Sequence, residues 1–155
     1  MTRRRAAGFT LVEIVVVLAV AALLMTAVPT LFDAMLPGVQ LKGAARRTMA
    51  TLRLARDTAV RTGVDTALVI DVEARRLDLA GFRSVSLPSG LNLDLEVASR
   101  ELLDRERGAI RFFPDGSSTG GRILISRGQG AAASGYQVGV DWLTGRVRAL
   151  PWEGK

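Results

Sequence analysis

The chain contains neither cysteine nor histidine in 155 residues. Without cysteine there are no disulfides, so an exported head would have to hold together by core packing alone. Without histidine there is no His-based metal site, no Ser-His-Asp triad and no Cys/His nucleophile. Aromatic residues make up 5% of the chain, which leaves Trp142 and Trp152 as the only candidate stacking platforms in the C-terminal part. Their simpler reading is core and rim packing. Charge is also missing from one place. Glu13 is the one charged residue between Arg5 and Asp33, and an unpaired carboxylate beside hydrocarbon is expensive and usually functional.

What is present at the start is a basic cluster, Arg3, Arg4 and Arg5, followed by an apolar run from Phe9 to Val28. A helix rises about 1.5 Å per residue, so roughly 20 residues span the ~30 Å of a bilayer core. The arginines should stay cytoplasmic while the rest of the chain crosses. A cleaved secretory signal would carry Glu13 in its apolar core and lacks a clear A-x-A site. A plain signal anchor leaves Glu13 unexplained, and a twin-arginine signal would have a less hydrophobic core.

The hexapeptide Gly8-Phe9-Thr10-Leu11-Val12-Glu13 closely resembles the class III signal of type IV pilins and type II secretion pseudopilins. The resemblance implies that a prepilin peptidase cuts between Gly8 and Phe9 and methylates Phe9 as the mature terminus. It also implies that Glu13 serves assembly by pairing with the terminal amine of a neighbouring subunit. A buried carboxylate beside an ammonium loses much of its desolvation penalty, and breaking such a pair is costly. Pro29 stands one place earlier than the proline of many pilins, which bears on the kink and not on the class. The leader holds three arginines, so the net charge of +6 falls to +3 once it is removed, and the basic balance is partly a targeting signal.

The length suits one domain plus an anchor. Four segments are expected: a leader over 1–8, a transmembrane and assembly helix over 9–29, an amphipathic continuation over 30–63, and a β domain over 64–155. In the continuation Leu41, Ala45, Met49, Leu52, Ala55 and Ala59 recur at helical spacing, and arginines including Arg46, Arg53, Arg56 and Arg61 fill a solvated face. Pro37-Gly38 predicts a kink or break, and Gly63 a stop. Beyond Gly63 the period becomes two. Strands are expected at 66–72, 77–82, 84–87, 91–97, 109–113, 122–127, 136–141 and 146–150. Ser99–Gly108 reads as a charged surface loop and Gln129–Gly135 as a mobile one. The fold class is therefore α+β, with a long N-terminal helix followed by an antiparallel β-sheet head.

Two stretches in the head are distinctive: Ile110-Arg111-Phe112-Phe113-Pro114-Asp115-Gly116-Ser117-Ser118-Thr119-Gly120-Gly121 and Val140-Asp141-Trp142-Leu143-Thr144-Gly145-Arg146-Val147. Together they resemble the type II secretion minor pseudopilin H family, which includes FimT-type minor pilins; the stretch 82–107 carries no matching motif. Pro114-Asp115-Gly116 is a tight turn. No lysine follows Gly120-Gly121 as a phosphate loop requires, and Asp115 alone is too few carboxylates for a calcium loop. Asp115, Gly116, Gly120 and Gly121 stand instead as a structural turn or a partner-contact loop.

Arg146 and Arg148 are two apart, hence on one face of the last strand. Gly145-Arg146-Val147-Arg148 also resembles the Gly-Arg-x-Arg motif of FimT-like pilins that bind DNA, and arginines on an edge contact phosphates without reading bases. The simpler reading is a solvated strand face. The acid pairs Asp94/Glu96 and Glu101/Asp104 have no neighbouring nucleophile, so no catalytic residue is expected. No metal and no cofactor is required. The resemblance implies a pilin-like subunit that works by assembly. Its expected place is the inner membrane with a periplasmic head, then the pseudopilus, near the tip. Its expected partners are the peptidase, major and other minor pseudopilins, the inner-membrane secretion platform and, before assembly, inner-membrane lipid. Nucleic acid is a partner only on the alternative reading, a FimT-like type IV minor pilin acting in pilus initiation or DNA uptake.

Overall fold

The computed structural model describes residues 10–154, without the side chains of residues 24–37 and 131. The predicted leader over 1–8, and with it Gly8 and Phe9, lies outside the described residues. One helix, α1, covers Leu11–Thr62. The expected break at Pro37-Gly38 is not seen as an interruption of helical backbone. The chain does divide into two compact units there, Met1–Pro37 and Gly38–Lys155, and each is described by itself.

In the first unit, α1 starts on a cap. The Glu13 N–H donates to Thr10 Oγ1 at 3.2 Å, and the Ile14 N–H to the Thr10 carbonyl at 3.2 Å. Threonine followed three residues later by glutamate is the sequence of a capping box, and its first half is formed here. Apolar side chains along this unit are exposed, Leu11 at 81% and Leu23 at 71%. Among the described residues no helix is long and apolar enough to cross a membrane.

In the second unit, α1 buries Leu41, Ala44, Ala45, Thr48, Leu52, Ala55 and Ala59 on one face. Five of those seven are alanine or threonine, or smaller than leucine, so the backbone of the helix can sit close to its neighbours. Thr58 and Thr62 return their hydroxyls to carbonyls one turn back, at 2.8 Å each. The helix ends at Gly63, whose φ of 67° is the left-handed cap conformation and whose N–H reaches the Ala59 carbonyl.

Eight strands follow: β1 Thr66–Asp71, β2 Arg76–Leu79, β3 Val85–Ser86, β4 Asn92–Glu96, β5 Arg107–Phe112, β6 Gly121–Arg127, β7 Ser134–Val140 and β8 Val147–Glu153. They form two antiparallel four-stranded sheets, ordered β3-β2-β1-β5 and β4-β6-β7-β8, where the sequence suggested one. The alternation of side chains puts Leu68 and Ile70 of β1, Leu77 and Leu79 of β2, and Ile110 and Phe112 of β5 into the core. Ile123, Ile125, Val138 and Val140 enter it from the other sheet. The core thus joins the second half of α1 to both sheets and lies wholly within residues 41–149.

Two loop expectations need correction. The charged segment 99–108 is not a plain surface loop: Ser99–Glu101 is a 3₁₀ turn, and β5 already begins at Arg107. Glu101 is buried at 7% exposure and pairs with Arg111 Nε at 3.4 Å. The segment 129–135, expected to be mobile, instead forms the 3₁₀ turn Gly130–Ala132 and the start of β7, and the Gly154 N–H ties it to the chain end through the Ala133 carbonyl.

Candidate interaction surface

The two distinctive stretches of the head form one structure. After β5 the chain turns at Pro114-Asp115-Gly116, where the Gly116 N–H donates to the Phe113 carbonyl and φ of Gly116 is 84°. Asp115 Oδ1 accepts the Ser117 N–H at 2.8 Å and its hydroxyl at 2.6 Å. These bonds favour the charged form and hold the Asp115 carboxyl below its ordinary range, the Ser117 hydroxyl first. The β7–β8 connection repeats the device. Asp141 Oδ1 accepts the Thr144 N–H and hydroxyl, both at 2.8 Å, and its pKa is lowered by the Thr144 backbone bond first, with the Arg148 charge a minor cause.

Ser118 straps the two turns together. Its N–H donates to the Trp142 carbonyl at 2.8 Å and its hydroxyl to the Asp141 carbonyl at 3.1 Å. Arg56 completes the joint from α1, where Nε donates to the Gly116 carbonyl at 3.2 Å. A Cβ at Gly145, φ 60°, would collide with that same carbonyl and lie 2.9 Å from Arg56 Nε. Arg56, read from sequence as part of a solvated helix face, is therefore half-buried and structural. Its partner lies 60 residues away, so no local pattern could reveal it.

Of the predicted contact loop, only Asp115 faces solvent; Gly116 and Gly120 are buried and Gly121 is half-buried. Gly121 is needed for close packing, since a Cβ there would sit 3.0 Å from Ile110 Cδ1. Trp152 is half-buried beside Ser126, Gly128 and Ala133, as rim packing predicts. Trp142 departs from the core-or-rim expectation: it is 67% exposed, next to Leu143 at 63%.

Arg146 lies just before β8 and Arg148 within it, and both are exposed. They line one concavity with Arg53, Arg56 and Asp57 of α1, and another with Arg122, Gly139 and Leu150. Glu96 and Arg122 pair at 3.4 Å, mostly exposed, an arrangement that contributes about 0–1 kcal/mol. Asp94 is exposed, and Asp104 caps the turn before β5 by accepting the Glu106 and Arg107 N–H groups. Among the described residues no three Asp or Glu side chains converge as metal ligands. Glu13 stays exposed on the first helical turn, where a carboxylate also complements the helix dipole.

Comparison with known proteins adds five findings. Residues 44–144 match the family model described as type II transport protein GspH, and residues 3–29 match the prokaryotic N-terminal methylation motif. A type II secretion system protein H from Xanthomonas campestris pv. campestris is 32% identical over 151 residues, 97% of this chain and 87% of that protein. The minor pseudopilin EpsH of the Vibrio cholerae type 2 secretion system has a similar fold, with TM-score 0.56 and 23% identity over 75% of this chain and 97% of that one. The type IV minor pilin FimU of Pseudomonas aeruginosa also does, with TM-score 0.55 and 16% identity over 74% and 91%.

Proposed function

The chain belongs to the type II transport protein GspH family, and on that premise we propose that it is a minor pseudopilin of a type II protein secretion system. The observation that carries the reading is the union, in one chain, of an N-terminal methylation motif over 3–29 and a GspH head over 44–144. It acts by assembly and contact, not by catalysis. Prepilin peptidase cuts between Gly8 and Phe9 and methylates Phe9. The apolar segment then holds the chain in the inner membrane as a single pass, head in the periplasm, until the secretion platform adds it to the pseudopilus near its tip. There it meets major and other minor pseudopilins and helps export folded proteins.

Physics supports this order of events. The large apolar side chains from Leu11 to Val20 are exposed. Lipid covers them before assembly, and neighbouring helices cover them afterwards. Glu13 is tolerated at both stages for different reasons. Before assembly its carboxylate lies on the first turn of a helix that Thr10 caps, where the helix dipole favours it, and in the filament it meets the terminal amine of the next subunit.

Mass spectrometry of the native polypeptide tests the processing step. A chain beginning at N-methylated Phe9 is expected, and one beginning at Met1 or beyond Val28 would overturn the account. A deletion strain tests the system: export of folded proteins should fail while type IV pili still form. The exposed pair Arg146 and Arg148 favours a second reading, a FimT-like minor pilin in pilus initiation or DNA uptake. That reading expects the opposite phenotype, lost piliation or transformation with export intact.

A further inference from the structure

A notch opens on the outer face of the second sheet. The register aligns Glu96, Arg122, Gly139 and Arg148 in one row across β4, β6, β7 and β8. Gly139 is the gap in that row: a Cβ there would meet nothing within 4 Å. The missing side chain leaves an open space flanked by Arg122 and Arg148 and bordered by Arg146 and Leu150. Among the described residues Arg146 and Arg148 form no ion pair, and Arg122 has only the long contact to Glu96. Asp141, on the border, is already occupied by Thr144.

Beside the notch stands an apolar pair in a fixed position. Trp142 and Leu143 project from a turn braced by Asp141 and strapped by Ser118. A large exposed aromatic whose backbone is already ordered loses little entropy on binding, and such residues dominate interface energetics.

The mode of contact follows from the edge strand. The Asp141 N–H donates to the Arg146 carbonyl and the Gly154 N–H to the Ala133 carbonyl. Antiparallel alternation then turns the backbone of 146, 148, 150, 152 and 154 towards β7 and that of 147, 149, 151 and 153 outward. Pro151 therefore sits where the free edge would need a donor, and a proline there blunts strand addition. Recognition on this face must come from side chains.

We propose that this surface docks an acidic segment of a partner protein, with a carboxylate in the notch over Gly139 and an apolar side chain against Trp142 and Leu143. Charge complementarity selects the carboxylate, and Leu143 beside Trp142 favours protein, because a base could stack on Trp142 alone but would leave Leu143 unpaired. The inference rests on the assembly reading for where the partner is met, but its test does not. A failure here leaves processing and export to judge that reading separately.

The test uses the full chain in detergent micelles and a labelled acidic peptide of alternating Glu and Asp around a central Leu-Phe. Binding should weaken about tenfold or more in R146A/R148A and in Trp142→Ala, the range of an interface anchor. Gly139→Leu fills the notch at a position with no positive φ and should weaken binding similarly while leaving every arginine in place. Changing the central Leu-Phe of the peptide to Ser-Ser should have the same effect as Trp142→Ala. Equal affinity for the two peptides, or an unchanged affinity in Gly139→Leu, would overturn the proposal. So would duplex DNA that binds more tightly than the peptide at physiological salt and is indifferent to Trp142→Ala, which would assign the surface to nucleic acid.

Discussion

Leucine has opposite fates in the two units of this chain. Leu11, Leu18 and Leu23 are 81%, 63% and 71% exposed, whereas Leu52, Leu68 and Leu77 are 0% exposed. Burying one such side chain is worth about 1.5–3 kcal/mol. The head collects that energy from its own chain, and Leu11 and Leu18 do not. Glutamate repeats the contrast. Glu101 is buried and paired with Arg111 inside the head, while Glu13 is exposed on the first turn of the helix. On the function proposed above, that division suits a subunit stored in lipid before it joins a filament.

The widest separation between the units is expected in core truncations. Phe112→Ala removes the largest fully buried side chain of the head and should cost about 3–5 kcal/mol. Leu18→Ala should change the melting of the head by less than about 0.5 kcal/mol, as exposed sites do, and should appear instead as poorer retention in membranes or filaments. Thermal melts of both variants in detergent check this. A head destabilised equally by both would erase the distinction.

The two glutamates give the next effect. Glu101→Gln leaves Arg111 without its charge partner and should cost about 1–3 kcal/mol, because the site is buried on the acid's side and half-open on the arginine's. Glu13→Ala should leave both head stability and leader cleavage intact and reduce incorporation into the filament. Normal incorporation of Glu13→Ala would remove the pairing account.

What the sequence made legible follows the same divide between local and distant causes. The leader hexapeptide, the helix face from Leu41 to Ala59 and the strand positions are all set by neighbours a few residues apart, and the alternation at Leu91–Val97 gave β4 directly. The splitting of the strands into two sheets depends on pairings such as β1 with β5, which alternation does not encode. Arg56 and Glu101 were misread as solvated because their partners, Gly116 and Arg111, are remote along the chain. Trp142 was expected inside by type, but a braced turn holds it out. The helix start was legible in Thr10-x-x-Glu13, the sequence of a capping box, independent of any role for the Glu13 charge.

A smaller effect lies within the core itself. Thr48 is fully buried and its hydroxyl has no hydrogen-bond partner. The group was desolvated on folding without compensation, so Thr48→Val should stabilise the head by about 1 kcal/mol. A chemical denaturation midpoint that falls would mean the hydroxyl finds a partner in solution.

The smallest effect is the pH response of the outer turns, and its sign is fixed by which form of each acid the fold prefers. Hydrogen bonds from Thr144 and from Ser117 hold the Asp141 and Asp115 carboxyls below the ordinary carboxylate range. Their contribution is fully present above the unfolded pKa and is lost as pH falls through the lower folded value. Glu106 runs the other way. The Glu73 carboxyl beside it raises its pKa above 4.5, so its contribution is present below the unfolded value and disappears as pH rises through the folded one. Between neutral pH and about 5.5 the melting temperature should therefore rise slightly or stay level, with loss only below about pH 4. Glu106→Gln should abolish the rise and leave the acid limb, and Asp141→Asn should shrink the acid limb and leave the rise. An Asp141→Asn variant that kept its full acid limb would mean the turn that carries Trp142 is held by something other than the Thr144 bonds.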